Sequence, residues 1–180
     1  MAKVVAYLEK GAQHVSDRLV DLAEIQAGQR VLDVATGIGE PAVTAARRVG
    51  AAGRVVATDQ APQMLAIARE RAAELGLQNI DFHKVDAEVL DFPEQSFNAI
   101  LCRWGLMFFP NLPATLRQMG RLLIPGGRLA AAVWDVSDKV RTMSLYIGVA
   151  RQVLGLPPPP PGTPSLFSLA DVPALEQKLE

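Results

Sequence analysis

Three acidic residues and two glycines hold most of the chemistry this sequence offers. Residues 36–42 read ThrGlyIleGlyGluProAla and follow directly on the apolar run Val31–Ala35. Gly37 and Gly39 lack Cβ atoms, so the backbone there can turn tightly and approach a ligand. The helix expected after the turn offers unsatisfied N–H groups and the positive end of its dipole. The spacing Gly37-x-Gly39-x-x-Ala42, with Asp59 20 residues beyond Gly39, matches the fingerprint by which a strand–turn–helix unit holds a nucleotide. The implied chemistry is the binding of a nucleotide or nucleoside cofactor at the carboxyl ends of parallel strands. Asp59 closes the run VVATD, where its carboxylate can accept two ribose hydroxyls, and Asp86 closes HisLysValAsp, where it can accept an exocyclic adenine amine.

Asp33 narrows the choice of cofactor. It sits inside an apolar run, two residues before the turn, where a buried carboxylate is costly without a compensating partner. A pyrophosphate would be repelled by it; a ligand with a cationic group would be favoured. S-adenosyl-L-methionine, with a sulfonium and an ammonium group, is such a ligand. Alternatively Asp33 caps neighbouring backbone or pairs with an arginine. His14 is the candidate general base should a nucleophile arrive protonated, against the plainer reading of a surface histidine on a helix. Cys102 reads as a buried small hydrophobe rather than a nucleophile. Trp104, Met107, Phe108 and Phe109 form either an apolar substrate wall or packing beneath the next helix.

These residues need a scaffold, and the apolar pattern supplies one. Val31–Ala35, Val55–Thr58, Ile80–Val85, Phe97–Cys102 and Arg128–Trp134 are short, β-prone and nearly continuous in apolar character, as buried parallel strands are. Between them lie helical patterns. One near Ala12–Gln26 sets Val15, Leu19, Leu22 and Gln26 on one stripe. A second runs about Glu40–Val49 with Pro41 in its first turn. A third, about Pro62–Leu75, sets Met64, Leu65, Ala68, Ala72 and Leu75 on one face and ends at Gly76. A fourth, about Leu112–Leu123, has Asn111 as N-cap and stops at Pro125-Gly126-Gly127. Strands alternating with such helices predict βαβ units and a doubly wound α/β sheet. Pro157–Pro161 predicts a stiff polyproline II spacer.

Composition bounds the rest. The chain has 180 residues, 49% of them hydrophobic and 21% charged, with a net charge of −1, which is ample for a core and argues against a general nucleic-acid binder. One cysteine and two distant histidines give no disulfide framework and no metal-ligand spacing. No secretory signal or membrane span is visible, and a reduced, cytoplasmic setting is expected. The fingerprint leaves an NAD(P)-dependent oxidoreductase as a rival, against which stand Asp33, Asp86-Ala87 and the lack of a Tyr-x-x-x-Lys pair.

Four segments together, VLDVATGIGEPAV, VVATDQAPQML, VDAEVLDFPEQSFNAILCRWGLMFFP and LLIPGGRLAAAVW, resemble the class I S-adenosylmethionine-dependent methyltransferases, in particular the small-molecule branch that includes ubiquinone/menaquinone-biosynthesis enzymes. The resemblance covers about residues 12–135. It implies a Rossmann-like parallel sheet of strand order 3-2-1-4-5, S-adenosyl-L-methionine as cofactor, and a small-molecule methyl acceptor, apolar or aromatic if the aromatic cluster forms a wall. By position, Ala35, Thr36, Gly37 and Gly39 would cradle the methionine and ribose portions, and Asp33 would support the amino-acid end, partly through water. Asp59 would bind the ribose, Gln60 and Met64 would flank the adenine, and Asp86 with Ala87 would bind its edge. Cys102 and Arg103 would line the methionine end and face the substrate. The helix carrying Gln13 and His14 would form part of a lid.

The chain departs from the family pattern in three places. Ala35 stands where the family has its first loop glycine, and Ala61 where a serine or threonine often caps the third helix. The family sheet has seven strands, the last two an antiparallel hairpin, whereas five are visible here. The expected layout is therefore an amino-terminal lid region (1–27), a cofactor-binding core (28–135) and a helical, proline-rich lid or substrate region (136–180) that reads as truncated. The fifth strand would then be an open apolar edge through which the chain is expected to form a homodimer or to aggregate. A fragment that binds cofactor without turnover is the remaining alternative.

Overall fold

A computed structural model of the chain describes residues 2–157, 160 and 163–179; most of the expected polyproline spacer lies outside them. Five parallel strands form one sheet in the order β3-β2-β1-β4-β5, as expected. They are β1 (Arg30–Val34), β2 (Arg54–Asp59), β3 (Ile80–Lys84), β4 (Phe97–Arg103) and β5 (Leu123–Ala132). The helices are α1 (Ala2–Leu22), α2 (Ala42–Val49), α3 (Pro62–Glu74), α4 (Leu112–Leu122), α5 (Arg141–Leu154) and α6 (Val172–Leu179), with a 3₁₀ turn at Leu106–Phe108.

Successive side chains of a strand point to opposite faces, and β1 builds two cores that way. Val31 packs with Leu19 and Val20 of α1, with Ala23 just after it, and with Ala42, Ala45, Ala46 and Val49 of α2. Leu32 and Val34 pack on the other face with Leu112, Met119 and Leu122 of α4 and with Leu169. Asp33 shares the face of Val31, and this alternation aims its carboxylate at the start of α2. The central strands β1, β2 and β4 are buried along nearly their whole length. Strands β3 and β5 are partly exposed edges, which corrects the expectation of five buried strands.

The structure shifts several boundaries. α1 buries Leu19 of the expected stripe but Val20, and Ala23 just beyond its end, in place of Leu22, which is 49% exposed. α2 begins at Ala42 with Pro41 as its N-cap residue. α3 buries Leu65, Ala68 and Ala72 and leaves Met64 and Leu75 at the surface. Asn111 caps α4 through the Ala114 N–H. Pro125-Gly126-Gly127 does not separate α4 from the fifth strand: β5 starts at Leu123, and these residues form an irregularity within it, where the register against β4 jumps from Phe97↔Leu123 to Ala99↔Arg128. Helix α5 buries no side chain, and no described helix is long and apolar enough to cross a membrane.

Candidate cofactor site

The site forms where β1, β2, β3 and β4 end. β1 leaves the sheet at Ala35, which takes a left-handed conformation (φ 57°) that costs an L-residue about 1–2 kcal/mol. Gly37 (φ 56°) and Gly39 (φ 99°) continue the turn. A Cβ on Gly39 would lie 3.2 Å from the Ala68 Cβ, so this glycine lets the turn seat against α3. β4 leaves the sheet at Trp104, again left-handed (φ 60°). Gly105 follows under tight constraint: a Cβ there would stand 2.7 Å from Cys102 Sγ and 2.8 Å from the Ala35 Cβ. The two strand ends are thus matched pieces that hold a cleft open between them.

The cleft measures about 380 Å³, within the range of small-molecule sites. Its lining brings together Ala35, Asp59, Gln60, Asp86 and Ala87, all expected, with Val85, Glu88, Trp104, Gly105, Phe108, Phe109 and Pro110. Asp59 is held in place by two backbone donors: Gly37 N–H donates to Oδ2 at 2.8 Å and Ala61 N–H to Oδ1 at 2.9 Å. Each oxygen keeps a lone pair for a further donor. Asp86 accepts from Glu88 N–H through Oδ1, and Glu88 accepts from Asn111 N–H, which ties the floor of the cleft to the cap of α4. The aromatic cluster divides between its two expected roles. Met107 is buried in the core, whereas Trp104, Phe108 and Phe109 line the cleft. Trp104 stacks on Trp134 with ring centroids 4.4 Å apart.

Asp33 lies beneath the turn, fully buried. Its Oδ2 accepts from Ala42 N–H at 2.9 Å, so it does cap backbone. The Arg103 charge also acts on it. Burial nevertheless pushes its carboxyl up to about 7, against the pull of the Thr36 hydroxyl, the Ala42 N–H and Arg103. Thr36 is close but poorly aligned: neither Asp33 Oδ1 nor Thr36 Oγ1 has a partner of hydrogen-bonding geometry among the described residues. Arg103 donates to Ser16 of α1 at 3.0 Å and lies with its guanidinium 4.8 Å from the centre of the Trp104 ring.

Several expected site residues, Thr36, Gly37 and Gly39 of the turn among them, lie outside the cleft lining. Cys102 is buried, and its thiol is pushed up to about 12 by burial and by the nearby Asp33 charge, so it is no nucleophile, and it does not line the cleft. Arg103 is enclosed between β4, α1 and Asp33. Met64 is 44% exposed on α3. His14 is exposed on α1, and no histidine lines the cleft among the described residues. One buried acid was missed entirely. Glu40 sits in the turn itself with a side chain 0% exposed, paired with Arg71 at 2.9 Å. Its signal was a carboxylate wedged between Gly39 and an apolar helix start.

These residues fit S-adenosylmethionine on chemical grounds. Asp59 and Asp86 offer acceptors for hydroxyls and an amine, the strand ends have no phosphate-binding cation in the cleft lining, and buried Asp33 and Thr36 retain unsatisfied oxygens beside the turn. The methyltransferase-domain family matches residues 31–127, and the chain belongs to it. The oxidoreductase alternative finds no support in that membership. Over 113 residues the chain is 40% identical to an aklanonic acid methyltransferase, DauC, from Streptomyces sp. (strain C5), covering 63% of this chain and 51% of that protein. It is 40% identical over 111 residues to the ubiquinone/menaquinone biosynthesis C-methyltransferase UbiE of Pseudomonas putida (strain F1), covering 61% and 43%. A SAM-dependent methyltransferase from Aquifex aeolicus superimposes with a TM-score of 0.62 at 25% identity, over 67% of this chain and 64% of that one. The chain therefore spans about half the length of the curated relatives it matches. Family membership and the SAM-dependent Aquifex aeolicus structure support S-adenosylmethionine as the cofactor.

Proposed function

We propose that this chain carries the cofactor site of a methyltransferase that moves a methyl group from S-adenosylmethionine to an O, C or N atom of a small apolar or aromatic molecule. One observation carries the reading: a single cleft joins the carboxylates Asp59 and Asp86, which would accept ribose hydroxyls and the base amine, to an aromatic wall of Trp104, Phe108 and Phe109. The named relatives, an aklanonic acid methyltransferase and a quinone-biosynthesis C-methyltransferase, support a small organic acceptor.

When bound, the cofactor supplies an electrophilic methyl on a sulfonium. Asp59 would hold the ribose, fixed by the Gly37 and Ala61 N–H groups. Asp86, Ala87 and Gln60 would surround the base. Thr36, Gly37 and Gly39 would follow the methionine portion, with Asp33 as the anion nearest its ammonium. Trp104, Phe108 and Phe109 would exclude water and orient the acceptor, and orientation of this kind contributes up to about 7–11 kcal/mol by effective-molarity estimates. His14 has no part in this reading, because it is exposed and away from the cleft lining.

The finer proposals follow. The layout of lid region, core and carboxyl-terminal lid stands as proposed for residues 1–27, 28–135 and 136–180. A homodimer through β5 is supported by its position as an edge strand with one side unpaired. A cytoplasmic setting fits the single free cysteine, and the charge balance leaves nucleic acid out of the scheme. A second reading, binding without turnover, is favoured by α5, which buries no side chain. Transfer of labelled methyl to phenolic and quinol acceptors tests the proposal: incorporation supports it, and saturable cofactor binding with no transfer to any acceptor favours the second reading.

A further inference from the structure

Glu40 is buried in the turn and does not line the cleft, and the partners that satisfy it come from two elements. Arg71 of α3 donates through Nη2 to Glu40 Oε1 at 2.9 Å and through Nη1 to the Ile38 carbonyl at 3.4 Å. One guanidinium thus grips both the side chain and the backbone of the turn. Thr44, one helical turn into α2, donates its hydroxyl to Glu40 Oε2 at 2.7 Å. With its proton committed there, the Thr44 oxygen accepts from Gln13 Nε2 of α1 at 2.8 Å. Gln13 is also held by Asp17 at 3.0 Å. The chain of bonds runs α1–α2–turn–α3, and none of Gln13, Thr44, Glu40 or Arg71 lines the cleft.

A buried carboxylate is expensive to keep, and an apolar side chain of similar volume would serve stability as well or better. This one does something an apolar side chain would not. By anchoring Arg71, whose Nη1 donates to Ile38, it fixes the carbonyl of Ile38 between Gly37 and Gly39, two residues of left-handed backbone, and Gly37 N–H in turn orients Asp59 at the cleft wall. We infer that Glu40 and Arg71 are positioning residues for the glycine turn, and that Gln13 couples α1 to them, so that the turn is held in its cofactor-accepting shape only while α1 is docked. The inference rests on the proposed cofactor site, but its physical content concerns the turn itself.

Two measurements on the full chain separate the inference from the function it builds on. The first is amide hydrogen exchange across residues 35–43 without cofactor. The second is calorimetric titration with S-adenosylhomocysteine. Gln13→Ala removes the α1 link without stranding a buried charge; Arg71→Gln removes the grip, and Arg71→Lys restores the charge but not the two-pronged contact. Exchange in the turn is expected to quicken at least about threefold in Gln13→Ala and more in Arg71→Gln. Affinity is expected to fall about five- to twentyfold in parallel, with intermediate values for Arg71→Lys and with exchange in β1 and β4 unchanged. Should Arg71→Gln fail to fold, Gln13→Ala decides alone. Unaltered exchange across the turn in folded variants overturns the inference, whatever the titration shows. A wild-type chain that binds no S-adenosylhomocysteine overturns the proposed function instead, and leaves the exchange result to judge the coupling.

Discussion

Replacing Asp33 by asparagine should stabilise this protein, and only above a certain pH. The carboxyl rises from 3.8 to about 7 on folding, chiefly through burial. Between those values the folded chain holds a proton that the unfolded chain has released. Stability therefore falls as pH rises from about 4 to about 7 and is level above that. The full shift corresponds to about 4 kcal/mol, an upper bound once the nearby Arg103 charge and local relaxation are counted. Asparagine keeps an oxygen for the Ala42 N–H, and its amide can donate to Thr36. The variant should equal the wild type at about pH 4 and exceed it by about 1–3 kcal/mol at about pH 8. Urea unfolding across that range, followed by far-UV circular dichroism, reads this directly. A stability difference that does not change with pH would refute the reasoning, and a variant weaker than wild type at pH 8 would show that Asp33 ionised is a stabilising group. The same variant should bind S-adenosylhomocysteine more weakly, because in the proposed site Asp33 is the anion nearest the ligand's ammonium.

Further expectations concern the two strand ends and the thiol. Gly105→Ala should cost about 1–3 kcal/mol by overpacking, since its Cβ would meet Cys102 Sγ and the Ala35 Cβ; the loss should shrink in an Ala35→Gly background, which a double-mutant cycle by thermal unfolding measures. Ala35→Gly alone should relieve left-handed backbone and change stability by no more than about 1 kcal/mol, because the added unfolded-state entropy offsets the gain. Cys102 should resist iodoacetamide in the folded chain and react once unfolded; rapid labelling of the native protein would contradict its burial.

The sheet was legible because its strands are apolar runs bounded by turn residues and its order follows from the family likeness. The acids at the ends of β1, β2 and β3 could be placed from spacing alone, and two of them, Asp59 and Asp86, line the cleft. What spacing does not encode is which side of a residue faces the ligand. Cys102 and Arg103 are the last two residues of the right strand, yet β4 is so central that their side chains are swallowed by packing, and the cleft wall passes instead to Trp104, where the backbone turns left-handed. Met64 fell on the predicted stripe of α3, but that helix buries only the narrower row Leu65, Ala68 and Ala72. The Pro125-Gly126-Gly127 segment looked like a stop and proved to be an irregularity within β5, because the strand resumes its register after it. Glu40 carried a signal in its place between Gly39 and an apolar helix start, but its charged partner Arg71, far along the chain, is brought to it only by the folded sheet.

The central claim is that the carboxyl ends of β1, β2 and β3 hold S-adenosylmethionine through Asp59. Calorimetric titration of the chain with S-adenosylhomocysteine, beside an Asp59→Ala variant and an NADH control, tests it most directly. Saturable one-to-one binding of S-adenosylhomocysteine to the wild type, weakened at least about a hundredfold in the variant and absent for NADH, is the predicted result. Binding that survives the loss of Asp59 undiminished, or a wild-type chain that takes NADH in preference, would contradict it.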